Sequence, residues 1–344
     1  LVQKIRKLVQ AATGWTARQI MVHATHTHSG PCTLPSLIGW GDPDDPYLEM
    51  LPRFVAKACI DAIHDLAEAS FHHAEVEATG FSYNRELPDP GRTNEAVLAG
   101  QWVTDKPEET DTTAHVIRVD RRKKCAGFLT YFSCHPVVCC ARSHEIHGDF
   151  VGVATNRVEK DHPGSVGLFL QGALGDINSN FVHGDSGPSL IALEKFAARF
   201  AGVIRSGLKA CKKMEITKAA SALSDEPYTL ARPGQKKLRD LLAKKERVLA
   251  GSEITLEGSE AGIAMVYVRS LRATLARMKR GEPLHRPMPI QAFRLGPITL
   301  TGTPVEAFHR IKRRFQAELW PKALLLSVTN DELGYAPIRE TYRE

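Results

Sequence analysis

The chain has 344 residues, 43% hydrophobic and 24% charged, with a formal net charge of +6. That length supports one large domain or two small ones, and no apolar run reaches the ~18 residues that a membrane-spanning helix needs. The Lys and Arg residues are spread along helix-forming stretches without interleaved aromatics, which argues against a nucleic-acid partner and is compatible with peripheral contact to anionic membrane surfaces.

Seven cysteines, Cys32, Cys59, Cys125, Cys134, Cys139, Cys140 and Cys211, are odd in number and form no C-x-x-C pair. This usage favours a reducing, cytoplasmic compartment. Leu1 is not followed by a basic-then-apolar leader, so secretion would require a signal peptide trimmed from this sequence. Cys134, Cys139 and Cys140 cluster beside His135 in an apolar run and are expected to be small buried hydrophobes that bind no metal.

Apolar residues at Val2, Ile5, Leu8 and Val9 predict a helix over 2–12, closed by Gly14. Gln19 to Ala24 is predicted as a short strand leading into V-H-A-T-H-T-H-S-G-P, Val22 to Pro31. On an extended backbone His26 and His28 point to one side, and Ser29-Gly30-Pro31 forces a turn after them. A strand end of this kind is where α/β folds place ligands. Imidazole is the commonest metal ligand, so the pattern favours a metal; the alternative is two imidazoles bonded to backbone carbonyls.

A Gly-, Pro- and Asp-rich loop running to Pro46 is long enough to cover a site. A helix follows to near Leu66, with Leu48, Leu51, Val55, Ile63 and Leu66 on its apolar face and Pro52 placed in its first turn. His72 to Tyr83 is predicted as a strand ending in Tyr83-Asn84-Arg85, and Pro88 to Asp111 as a polar second lid. Ala114–Val119 and Ala126–Cys134 are predicted to pair as strands, the second ending at His135-Pro136. Gly148 to Lys160 is predicted as a helix. Val166 to Leu170 is predicted as a buried strand running into Q-G-A-L-G-D-I-N-S-N, Gln171 to Asn180. Gly175, Asp176 and Asn178 in that stretch fit a substrate-binding loop, since glycines admit close backbone approach.

Leu190–Leu208 is predicted as a helix and Ala219–Thr229 as a strand. Lys236–Ala250 and Ala261–Arg280 form a charged antiparallel helical hairpin, an insertion over 233–280. Pro289–Arg294 and Ile298–Thr301 read as a hairpin of strands. Thr301 to Glu306, T-G-T-P-V-E, enters a helix reaching Leu319 with Pro304 in its first turn, and Leu324–Val328 is the last strand. No repeat or linker interrupts the pattern. The expected fold is α/β: a single domain over 1–344, with a mixed central β-sheet flanked by helices and the hairpin insertion.

His26, His28 and His135 at strand ends, with Glu306 in the Gly-Thr-Pro turn, offer nitrogen and oxygen ligands. Two histidines and one carboxylate leave zinc an open position, the arrangement of hydrolytic sites. Zinc lowers the pKa of water from ~15.7 to ~7 and polarises a carbonyl. Rival signatures are missing. There is no H-E-x-x-H, because His144-Glu145-Ile146-His147 is one residue short and is expected in a surface loop. There is no G-x-S-x-G elbow, P-loop or G-x-G-x-x-G. The H-x-H lacks the Asp-His of a metallo-β-lactamase, and the eight regular βα units of a barrel amidohydrolase are not found.

Taken together, T-H-T-H-S-G-P (Thr25–Pro31), Y-N-R (Tyr83–Arg85), His135-Pro136, L-G-D-I-N-S-N (Leu174–Asn180), T-P-V-E (Thr303–Glu306) and Asn330–Tyr342 resemble the amino-terminal catalytic domain of the neutral/alkaline, non-lysosomal ceramidase family, in its compact bacterial form. The resemblance implies a zinc ion bound by His26, His135, Glu306 and Tyr335, with His28 beside it and Arg85 orienting substrate and catalytic groups. It implies hydrolysis of an N-acyl amide bond in a lipid. The departures from the family are specific. Asn178 stands where the family carries a catalytic serine, with Ser179 one place later. The family's further tyrosine, beyond the ligand tyrosine, and its opening strand region are expected to lie outside this sequence. With Asn178 in place, water activated at the metal is expected to attack, so the alternatives are a zinc hydrolase of another amide or ester, or a non-catalytic metal- or ligand-binding relative.

Overall fold

The apolar spacing at the start of the chain is realised as α1 (Val2–Thr13), which buries Ile5 and Val9 and ends at Gly14 with φ +76°. That left-handed backbone costs glycine nothing, because it has no Cβ. The strand predicted at Gln19–Ala24 does not form. Ala17–Gln19 makes one 3-10 turn, and His23 makes an isolated bridge to Thr329. Two backbone bonds, Asn330 N to the Val22 carbonyl at 2.7 Å and Ala24 N to that of Val328 at 3.2 Å, flank this bridge. Side chains add to it: Arg6 donates to the Ile20 carbonyl at 3.1 and 3.0 Å, and Val22 N donates to Asn330 Oδ1 at 3.1 Å.

The computed structural model describes residues 1–34, 43–88, 91–139, 145–182, 186–227, 234–251, 260–284 and 287–341. The next helix, α2 (Asp45–His64), starts earlier than Pro52, which lies inside it. Asp44 is the actual cap, its Oδ1 accepting from Tyr47 N at 2.7 Å. The strand predicted over His72–Tyr83 is two, β1 (Ser70–Glu77) and β2 (Ser82–Asn84), parted at Gly80 with φ +79°. A short helix, α3 (Asn94–Leu98), interrupts the predicted lid, capped by Thr93. β3 (Thr113–Arg121) and β4 (Lys124–Phe132) pair antiparallel as expected. Then come α4 (Asp149–Asp161), β5 (Val166–Gln171), β6 (Ile177–Ser179), α5 (Ser186–Ala210), β7 (Lys212–Met214) and β8 (Ala219–Glu226). The hairpin is α6 (Gln235–Gly251) and α7 (Glu260–Lys279).

β9 (Met288–Leu295) and β10 (Ile298–Gly302) follow, then β11 (Glu306–Ala307), α8 (His309–Glu318), β12 (Ala323–Leu326) and β13 (Tyr335–Ala336). The predicted helix after T-G-T-P-V-E is therefore displaced. Glu306 N donates to the Gly334 carbonyl and Phe308 N to that of Ala336, so those donors serve a parallel β11–β13 pair and the helix waits until His309.

The residues divide into two compact units. The smaller comprises Leu1, Pro31–Phe54 and Asp225–Met288, the larger Val2–Gly30, Val55–Ser224 and Pro289–Glu344. In the smaller, α6 and α7 bury Leu238, Ala264, Val268 and Leu271 and turn charges outward. In the larger, a mixed sheet runs β5-β4-β3-β1-β7, parallel only between β4 and β5 among its paired strands. A second runs β12-β10-β9-β8. Ile117, Tyr131, Leu170 and Met214 from the first meet Ile298, Leu324 and Leu326 from the second in one apolar layer. α4 and α5 cover the other face of the first sheet. Ala192, Phe196, Phe200, Ile204 and Leu208 recur at helical spacing on α5, and Phe150 of α4 meets Phe196 and Phe200 edge-on at 4.9 and 5.2 Å. No helix among the described residues is long and apolar enough to cross a membrane.

Candidate active site

The site lies within the larger unit, where β4 ends, β6 passes and β11 begins. His26 adopts φ +67°, so the H-x-H stretch is a turn and not the extended strand end expected of it. The turn still brings the rings together, with His26 and His28 4.9 Å apart edge-on. It is clamped from outside: Ser29 Oγ donates to the Cys139 carbonyl at 2.5 Å, Thr27 Oγ1 to that of His147 at 3.0 Å, and His147 N to that of Ser29 at 3.0 Å. His144 lies outside the described residues; Ile146 is exposed, while His147 is engaged by this clamp and accepts from Asp149 N through Nδ1.

His135 follows β4 and bridges to Asn178 of β6. Its Nδ1 donates to the Ile177 carbonyl at 3.1 Å, which fixes the ring and turns Nε2 inward. Nε2 lies 3.1 Å from Glu306 Oε2, and His26 Nε2 lies 3.6 Å from the same oxygen. The donor nitrogens of His26, His28 and His135 all lie within 4.8 Å of one another, which puts the exposed His28 ring beside the His26–His135 pair. Burial lowers the His26 pKa to about 3, which keeps the imidazole neutral; burial also raises that of Glu306.

These residues fit a divalent cation. Ligands ~2.1 Å from a tetrahedral zinc lie roughly 3.4 Å from one another, and the two contacts to Glu306 bracket that spacing. The donors are nitrogen and oxygen without thiolate, a set suited to zinc, manganese or iron. Cys134 and Cys139 are fully buried and stand outside the cluster; Cys140 falls outside the described residues.

Tyr335 pairs in register with Glu306 across β11–β13, its ring about half exposed and its hydroxyl within electrostatic reach of Glu306 and Arg85. Burial and the Glu306 charge raise its pKa, so without a metal it is a phenol. The Arg85 guanidinium stands 5.4 Å from the centre of that ring. Arg85 also donates to the Gly175 carbonyl at 2.5 Å and lies 3.5 Å from Asn178 Oδ1.

Gly175 and Asp176 do structural work. A Cβ on Gly175 would meet the carbonyl oxygen of Glu306, so the loop can pass β11 only as glycine. Both Asp176 oxygens are engaged, one by Asn84 Nδ2 at 2.9 Å and one by His309 N at 2.7 Å, tying β2 to the start of α8. Asn178 is buried at the site, whereas Ser179 Oγ donates to the Phe181 carbonyl at 2.7 Å.

Two supports carry no local signal in the sequence. Glu332 is buried and accepts from Gly334 N at 2.7 Å, shaping the turn that delivers Tyr335; burial first, then Glu306, raises its pKa to about 8. Lys312 and Asp111 form a buried ion pair, and Asp111 also accepts from Ser133 N at 3.1 Å, two residues before His135.

Residues 1–190 match the family model described as neutral/alkaline non-lysosomal ceramidase, N-terminal. That span holds His26, His28, Arg85, His135 and Asn178 but not Glu306 or Tyr335, which the fold alone adds. The chain is similar to the crystal structure of neutral ceramidase from Pseudomonas aeruginosa, at TM-score 0.72 and 19% identity, covering 99% of this chain and 59% of that one. It is also similar to a ceramidase complexed with C2, at TM-score 0.73 and 17% identity, covering 99% of this chain and 60% of that one. The chain thus spans about 60% of the length of these structures, and at such identity the likeness shows the fold. Comparison with curated proteins gives no match.

Proposed function

The chain belongs to the neutral/alkaline, non-lysosomal ceramidase family, and from that premise we propose that it is a zinc-dependent hydrolase of an N-acyl amide bond in a ceramide-like lipid. The observation that carries this reading is the convergence of His26, His135 and Glu306, with Nε2–Oε2 separations of 3.6 and 3.1 Å, at the end of a mixed sheet. His26, His135, Glu306 and Tyr335 would hold the ion, with His28 in reach of the same centre. Zinc, when bound, supplies a Lewis acid to an amide carbonyl and to water.

The remaining roles follow from the side chains. Asn178 donates and accepts hydrogen bonds but has no nucleophile. The Ser179 hydroxyl is committed to the Phe181 carbonyl on the far side of β6. These two observations favour direct attack by water, without an acyl-enzyme. His28, exposed and edge-on to His26, is positioned to accept the proton of that water. Arg85, pinned by the Gly175 carbonyl, orients the substrate and balances negative charge as it develops on the carbonyl oxygen. Asn178 holds the amide in place beside it.

The test is release of free fatty acid from N-acylsphingosines of graded acyl length, and from other N-acyl amides, before and after removal of metal by a chelator. Activity lost on chelation and regained with zinc is expected. Activity on an N-acyl amide that persists in metal-free protein would overturn the reading.

A further inference from the structure

Away from the centre described above, a second set of donors is built across two neighbouring strands. β1 and β3 pair with Glu75 opposite His115 and with His73 opposite Ile117. His73 and Glu75 are two apart on β1 and leave the sheet on one face; His115 lies across from Glu75 and diagonal to His73. The histidine rings stack 5.4 Å apart at 17°. His73 Nε2 is 3.2 Å from His115 Nδ1, and Glu75 Oε1 is 3.9 Å from that same nitrogen. All three donor atoms lie within 4.8 Å of one another. Tyr131, facing His115 in the β3–β4 pair, meets its ring edge-on at 5.6 Å and holds its orientation.

We propose that His73, His115 and Glu75 form a second site, at the margin of the layer between the two sheets with Glu75 on its solvent side, for a first-row divalent cation of the zinc class, with water completing the coordination. The spacing brackets the roughly 3.4 Å expected between ligands of a tetrahedral zinc, and the two-nitrogen, one-oxygen set is of the right chemistry. Burial lowers the pKa of both histidines, that of His115 to about 4, so near neutral pH the ion displaces no proton from them. Lys322 acts on His73 and Lys312 on His115, against the opposing charges of Glu75 and Asp111. With Glu75 exposed and two lysines near, this site is weaker than the first. Its occupation clips β1 to β3 and stabilises the sheet by mass action. It shares no residue with the first centre and does not rest on the proposed activity.

The test is a calorimetric titration of the chain with zinc alone, after dialysis has removed loosely held metal. The wild type should bind one equivalent at this weaker site, with a rise in Tm. Glu75→Gln, at an exposed position, should weaken that equivalent about tenfold or more, and His73→Gln should remove it. His26→Ala should keep it, however the first centre behaves. No such equivalent in the wild type, or one of unchanged affinity in folded Glu75→Gln and His73→Gln variants, would overturn the proposal.

Discussion

His135 Nε2 and Glu306 Oε2 meet at 3.1 Å although 171 residues separate them. The contact is made by two strand ends, β4 and β11, brought together by the loop between β5 and β6. A buried ring nitrogen that close to a carboxylate oxygen requires a cation between them, either a proton or a metal ion. His26 Nε2, 3.6 Å from the same oxygen, brings a third donor to one centre, which a metal ion satisfies and a single shared proton does not.

Removal of one ligand should therefore remove the metal. His135→Ala and Glu306→Ala should each abolish retained zinc and activity together. Either variant holding zinc as tightly as the wild type would show that the ligand set is different.

Asn178→Ala should lower turnover by roughly 10²-fold, the scale of a substrate held about 1 Å out of place, while zinc content stays at the wild-type level. Ser179→Ala should keep activity. An acyl group trapped on Ser179 and seen by mass spectrometry would contradict this and restore a serine mechanism.

Gly175→Ala should destabilise the protein by about 1–3 kcal/mol, because the added methyl meets the Glu306 carbonyl and must displace β11. The displacement should also weaken metal binding. Unchanged urea midpoint and unchanged zinc affinity would show that β11 yields without cost.

How far the site can be read from sequence depends on whether its parts are local. T-H-T-H-S-G-P is legible because two donors, His26 and His28, and a turn lie within a few residues, yet its backbone is not. The Gln19–Ala24 run has β-like composition but pairs with 328–330 only through the bridge at Thr329 and two flanking backbone bonds, and side chains from Arg6 and Asn330 complete its hold. The hairpin at β3 and β4 and the helices α4 and α5 follow from periodicity. Pro304 misplaces α8, because the β11–β13 pairing that delays it joins residues about thirty positions apart. The His73–His115 pair and the Lys312–Asp111 pair depend on strand register and on burial, which leave no mark on either neighbourhood.

Lys312→Met should cost about 3–5 kcal/mol by leaving the Asp111 carboxylate buried without its cation. Changing both, Lys312→Met with Asp111→Leu, should recover much of that loss in urea unfolding. A single variant as stable as the wild type would show that the pair contributes nothing.

The metal-free protein should lose stability in mild acid. Burial holds His23, His115 and His309 near pKa 4 and His26 near 3, below the ordinary 6.5. Below about 6.5 the unfolded chain binds four protons that the folded chain refuses, so stability falls with pH down to about 4. Asp149, raised to about 6, and Glu332, raised to about 8, act in the opposite sense, since their folded carboxyls keep protons that the unfolded ones have lost. His73 and His147, also lowered by burial, join the first set, and Glu306 and Asp176, also raised by burial, join the second. Six groups outweigh four, and the urea midpoint should be lower at pH 5 than at pH 7. A higher midpoint at pH 5 would contradict this balance.

The most direct measurement is a crystal structure of the zinc-loaded protein with anomalous data collected on both sides of the zinc absorption edge. One strong anomalous peak should lie ~2.1 Å from side-chain atoms of His26, His135 and Glu306. A strong zinc peak elsewhere with none among these three residues would contradict the assignment of the site and the hydrolytic role drawn from it.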